Sequence, residues 1–149
     1  MSNAPPELIA IDADDSHARH VGHTADGRQF FLTTPFAPAV GGGAGGEYVA
    51  LYTFDKKGRL LDFQIESFGP RATAKAEEIT ARYDAMLATL GNVTLDRIEV
   101  APFKIERFGT EFGLVLREPE EDDDVWAVEV QPGNYMAFFE PWDSGEYDT

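Results

Sequence analysis

The stretch EYVALYTFDKKGRLLDFQIESF at residues 47–68, followed by GPRATAKAEEITARYDAMLATLG at residues 69–91, changes its apolar period partway along, and that change decides the fold class. In the first half, two runs rich in β-branched and aromatic residues flank Asp55-Lys56-Lys57-Gly58, a polar turn that ends in glycine. This predicts a β-hairpin. In its second arm Leu61, Phe63 and Ile65 alternate with Asp62, Gln64 and Glu66, so one face of the strand is expected to be buried and the other wet, with the sheet covered on one side. From Ala72 onward the step becomes three and four. Ala72, Ala76, Ile79, Tyr83, Met86, Leu87 and Leu90 share one face of a helix, and Lys75, Glu78 and Arg82 lie on the other. Glu78 and Arg82 are spaced for an i, i+4 ion pair. Pro70 suits the start of a helix over about residues 71–90, Thr73 is placed to cap it, and Gly91 is placed to end it.

Toward the N-terminus, Ala25-Asp26-Gly27 separates residues 17–24 from residues 28–34, and Asp-Gly in that position signals another hairpin. The intervening run Gly41-Gly42-Gly43-Ala44-Gly45-Gly46 reads as a loop, because a regular element would bear its entropic cost at every position. Toward the C-terminus, Ile98, Val100 and Ile105 predict a strand broken at Pro102, which has no N–H to donate to a ladder. Phe112, Leu114 and Leu116 alternate, as do Trp126, Val128 and Val130, and Pro132-Gly133-Asn134 turns the chain into a last strand at 135–139. The expected fold is α+β, a mainly antiparallel sheet of about eight strands with one amphipathic helix on one face. Four strands, a helix and four strands follow one another without a residue-by-residue repeat.

The chain has 149 residues, which suits a single domain over 1–149. Its apolar share of 43% supports a packed core in spite of a net charge of −15. With no cysteine, disulfides, thiolate catalysis and zinc-thiolate sites are excluded, and nothing points to an oxidising compartment. Residues 1–11 carry neither a basic n-region nor a long apolar run, and no stretch reaches the roughly 18 apolar residues of a membrane span, so a cytoplasmic protein is expected.

The charge is unevenly placed. Residues 118–149 hold eleven Asp or Glu and no Lys or Arg, against sixteen acidic and twelve basic residues in 1–117. Such a surface repels phosphate backbones, which disfavours nucleic acid and anionic membranes and favours a basic protein partner. The densest part is Glu118-Pro119-Glu120-Glu121-Asp122-Asp123-Asp124, whose like charges repel one another and extend the chain. Trp126, Trp142 and Tyr147 lie in the same acidic region, and such rings serve either to anchor a partner or to pack back on the sheet. Glu120, Glu121, Asp122, Asp123, Asp124, Trp126, Trp142 and Tyr147 are therefore the candidate partner-binding residues. In size and charge alone the chain is similar to small acidic antitoxins and immunity proteins, which neutralise basic toxins.

Other clusters point less clearly to chemistry. His17, His20 and His23 are close in sequence, yet in a regular strand His17 and His20 face opposite ways while His17 and His23 stand about 20 Å apart. Asp12, Asp14 and Asp15 open like a calcium loop, but His17 stands where that loop needs Gly and His23 where it needs Glu. Gly41, Gly43 and Gly46 have G-x-G-x-x-G spacing with a strand after them instead of a helix and with no accompanying lysine. Ser16, Ser67 and Ser144 lie in no nucleophile motif. No catalytic residue, metal ligand or cofactor is expected. The competing expectation is an enzyme or small-ligand protein with a pocket between sheet and helix, lined by Phe and Tyr and involving His20 or Tyr83.

Overall fold

The computed structural model describes residues 6–13, 20–37, 45–70, 72–119, 126–132, 136–139, 142 and 145–147. They form an α+β fold in which every strand pairing is antiparallel. The central sheet begins with the two expected hairpins. β2 (His20–Thr24) and β3 (Gln29–Thr33) turn through Gly27 at φ 88°, and β5 (Gly46–Phe54) and β6 (Leu60–Ser67) turn through Gly58 at φ 89°. Both glycines adopt a backbone that L side chains rarely reach.

β3 lies beside β5, and the short β4 (Phe36–Ala37) continues the same register along the same edge: Gln29 faces Phe54, Thr33 faces Ala50, Phe36 faces Glu47 and Ala37 faces Gly46. β3 and β4 are thus one strand interrupted around Pro35, which lacks an N–H but accepts a hydrogen bond from Tyr48 N at 3.0 Å. Of the glycine run, residues 41–44 lie outside the described residues. Gly46, expected in a loop, is the first residue of β5. The side chain a non-glycine residue would carry there meets the Tyr48 hydroxyl at 2.7 Å.

On the other edge of β5 the alternation of β6 breaks once. Phe54 pairs with Leu60 and Thr53 with Asp62, so Leu61 is the extra residue of a β-bulge. Leu61 is consequently 55% exposed, and Leu60 takes the inward place beside Phe63 and Ile65. The expected inward run of Leu61, Phe63 and Ile65 is corrected at its first member, because a bulge shifts every side chain before it by one.

The helix α1 (Ala76–Thr89) starts later than its apolar pattern predicts. Thr73 N and Ala74 N both donate to Pro70 O, and the Thr73 hydroxyl donates there as well, so residues 70–74 close a turn of their own. Lys75 is the N-cap, in extended conformation and without a side-chain cap, whereas Gly91 follows the helix at φ 72° as expected. Glu77 and Glu78 in the first turn suit the positive end of the helix dipole. After the helix, β7 (Val93–Leu95) pairs with β2, giving the order β6-β5-β3/β4-β2-β7. The chain leaves one edge and returns on the other, so α1 crosses one face of the sheet. There Met86 and Leu90 are buried on Phe30, Leu32, Val49 and Leu51, with Ile79, Tyr83 and Leu87 around them.

The opposite face of the same sheet is also covered. β9 (Phe103–Arg107), β10 (Thr110–Arg117), β11 (Ala127–Gln131), β12 (Met136–Phe138) and β13 (Gly145–Tyr147) make a five-stranded meander in chain order. Its Leu114, Val128, Val130 and Phe138 pack with Val21, Phe31, Ala50, Tyr52 and Phe54 of the central sheet. The expected cover on one side therefore holds only at the edge: β3 and β5 are buried on both faces, helix on one and sheet on the other.

A two-stranded ribbon, β1 (Ile9–Ile11) with β8 (Ile98–Val100), joins this core. Its outer backbone groups are satisfied by neighbours. Ala10 N donates to Trp142 O at 2.9 Å, and Ala101 N donates to Gly58 O at 2.8 Å. The buried Gln29 side chain then acts as a strand partner: its Oε1 accepts from Glu99 N at 2.8 Å, and its Nε2 donates to Glu99 O at 2.9 Å and Asp55 O at 3.2 Å. Tyr52 presents the reverse case. It is 1% exposed, its hydroxyl has no hydrogen-bond partner among the described residues, and burial pushes its pKa up.

These two buried polar groups should respond oppositely to deletion. Gln29→Leu strands the Glu99 backbone groups and is expected to cost about 2 kcal/mol, while Tyr52→Phe removes an unpaired hydroxyl and is expected to be neutral or to stabilise by about 1 kcal/mol. Urea denaturation of both variants, with unchanged m-values, is the check. The Gly22→Ala variant is expected to lose roughly 1–3 kcal/mol by the same assay, since strained overpacking has that cost. The added methyl would stand 1.9 Å from Thr94 O across the β2–β7 pair.

Candidate functional site

The acidic region begins where β10 ends. β10 and β11 pair from Gly113 with Gln131 to Arg117 with Ala127, so the acidic residues between them are held at both ends by one pair of strands. Glu120, Glu121, Asp122, Asp123 and Asp124 lie outside the described residues. Arg117, the last base of the chain, is already engaged: its Nε donates to Glu129 at 2.8 Å and an Nη to Glu111 at 3.2 Å. Lys104 Nζ stands 3.9 Å from both Glu106 and Glu111. Carboxylates of β9, β10 and β11 thus occupy these two cations on the same sheet.

The three aromatic candidates part company. Trp126 is half-buried just before β11. Trp142 packs against the main core, and its carbonyl receives the Ala10 N–H, so it anchors the N-terminal ribbon to the second sheet. Tyr147 is the last residue of β13 and pairs in register with Met136.

Of the histidines, His17 lies outside the described residues, and His20 and His23 stand on opposite faces of β2. His20 is opposite Leu32, on the helix side, and hydrogen-bonds through Nδ1 to the Tyr83 hydroxyl of α1, with the two rings edge to face at 5.2 Å. His23 is opposite Gln29, and its Nδ1 is 4.0 Å from Asp96. A shared ion is thus out of reach, since the sheet separates the two rings. Asp12 is 3.5 Å from Arg97, and Asp14 and Asp15 lie outside the described residues. Among the described residues no three His, Asp or Glu gather where they could hold a metal ion. No helix among them is long and apolar enough to cross a membrane.

A cleft of about 260 Å³ does open between α1 and the central sheet. Arg28, Thr53, Asp62, Gln64 and Thr89 supply its polar groups, and Leu51, Phe63 and Leu90 its apolar wall. It is smaller and more polar than the usual ligand pocket of roughly 300–1,000 Å³. His20 and Tyr83, brought together as a pair, line a different part of the helix–sheet interface. The bulged Leu61 borders the cleft.

The chain matches no protein-family model, and no characterised protein and no solved structure matches it.

The two hairpin turns carry the clearest electrostatic features. The Thr24 hydroxyl donates to Asp26, and Arg28 Nε lies 3.1 Å from both carboxylate oxygens. Thr24 first and Arg28 next hold the Asp26 carboxyl down from 3.8 to about 2. Asp55 is lowered too, chiefly by accepting the backbone N–H of Arg59, with that of Lys57 adding to it. A lowered carboxyl stabilises the folded state above its unfolded pKa. For Asp26 that contribution is complete well above pH 3.8 and is lost as pH falls through about 2. A carbon-detected NMR titration of Asp26 should therefore find its midpoint near 2, and Thr24→Val should move it upward toward 3.8.

Proposed function

We propose that this is a non-enzymatic binding protein whose acidic C-terminal part engages a basic protein partner. One observation carries the reading: eleven acidic residues and no basic one follow Arg117. Support comes from the pairing of β10 with β11, which ties both ends of the acidic segment to a folded sheet, and from the internal engagement of Arg117 and Lys104. A field of one sign concentrated in this way accelerates encounter with an opposite charge and suppresses like-charged partners. Glu120, Glu121, Asp122, Asp123 and Asp124 supply the charge, and Trp126, Trp142 and Tyr147 lie in the same acidic stretch of the chain.

Association with such a partner depends on charge more than on shape. Reversing Asp122, Asp123 and Asp124 to Lys is expected to slow binding by at least about tenfold at low salt and to flatten its salt dependence. A pull-down from source lysate with native and reversed chains, followed by kinetics on the captured protein, makes the comparison. A captured basic protein whose kinetics are the same with both chains would refute the proposal.

The cleft between α1 and the sheet favours a second reading, a small-ligand protein, with Arg28, Asp62 and Gln64 as the polar contacts. It predicts a ligand-dependent rise in melting temperature that the Asp62→Ala variant loses. A screen of small polar molecules by thermal shift tests it, and a shift retained in that variant would reject this location.

A further inference from the structure

At one end of the central sheet three connections meet: the β2–β3 turn, the β5–β6 turn and the corner between β7 and β8. Between them lies a second cleft of about 430 Å³, with Lys56, Lys57, Arg97, His23, Gln29 and Gly27 in its wall. This volume falls within the range that holds small molecules. Its charge runs against that of the chain. Of twelve Lys and Arg set against 27 acidic residues, three line this one space, and among the described residues Glu99 is the one carboxylate in its lining.

Two of the surrounding acids are committed to their own turns, and two stand at the cleft itself. Asp55 turns its carboxylate onto the N–H groups of Lys57 and Arg59, and Asp26 is held by Thr24 and Arg28. Asp12 shares Arg97 at 3.5 Å, and Asp96 approaches His23 at 4.0 Å. Lys56 and Lys57 have no carboxylate within ion-pair distance among the described residues, although Arg28, Arg82, Lys104 and Arg117 each have one.

The site is also built on fixed backbone. Asp55 closes the turn that carries both lysines, and the Gln29 amide ties that turn's Asp55 carbonyl to β8. Gly27 leaves open the space across which Lys56 lies: a side chain at Gly27 would stand 2.7 Å from Lys56 Cε. Two ammonium groups and a guanidinium converging on a cleft match a doubly charged oxyanion, since Lys acts on phosphate as a point charge and Arg through its fork of donors.

We infer that this cleft binds a small molecule through a phosphate-monoester head group, held by Lys56, Lys57 and Arg97. The inference does not depend on the acidic surface. Inorganic phosphate is the probe, titrated into the full chain at constant ionic strength and followed by amide NMR. Saturable shifts are expected at Gly27, Gln29, Lys56 and Lys57, and acetate should not reproduce them. Both lysines are exposed, so Lys56→Ala with Lys57→Ala should leave the remaining spectrum in place while weakening phosphate at least about tenfold. Lys57→Gln alone should weaken it less. A response that never saturates, that acetate matches, or that survives the double substitution would overturn the site. So would shifts at these amides that grow with protein concentration in the absence of phosphate and vanish when Asp122, Asp123 and Asp124 are reversed. That outcome would put a second copy's acidic segment in the cleft.

Discussion

Strand β5 has to be covered twice. Val49 and Leu51 project toward the helix, and Ala50, Tyr52 and Phe54 project toward the five-stranded sheet, so neither layer alone removes this strand's apolar surface from water. Each large side chain buried there contributes about 1.5–3 kcal/mol relative to exposure, and β5 and its neighbour β3 carry such side chains on both faces. The route of the chain follows from that demand. After β6 the helix must pass over one face to reach β7, and the meander must fold beneath the other. Phe103 of β9 marks the closure, with its ring 4.8 Å from Tyr52 and 5.7 Å from Phe54.

A core covered on both faces leaves polar backbone to be satisfied at its margins, and the protein does this with individual groups in place of longer strands. The β1–β8 ribbon has only three residues in each strand. It holds its place because the Gln29 amide stands in for a strand on one side and the Trp142 carbonyl for a strand on the other. A mismatch is visible in Tyr52, whose ring lies between Phe31 and Phe103 while its hydroxyl is taken into the core without a partner among the described residues.

Charge is sorted by the same architecture. The turns that end the two hairpins of the central sheet lie together and bring cations to one cleft, whereas the acidic residues follow β10 in the other sheet. A chain of net charge −15 thus has a local cationic site as well as an acidic region.

Much of this is local and was legible in the residues themselves. The Asp-Gly at 26–27, the polar turn at 55–58, the three-and-four spacing up to Leu90 and the Gly91 stop each act within a few neighbours, so sequence determined both hairpins, the helix and its C-terminal end. The imbalance of charge after Arg117 is likewise a property of the chain alone. The loss of the first helical turn to Pro70 is local too, but no spacing signalled it; pairing and packing between segments decided the rest: the bulge at Leu61, the continuation of β3 into β4 past Pro35, and the second cover on β5. The split of the expected strand at Pro102 into β8 and β9, paired in different sheets, belongs with them. So does the cationic cleft, because Lys56, Lys57 and Arg97 are brought together only when three separate connections fold to the same end of one sheet, a proximity that no spacing along the chain encodes.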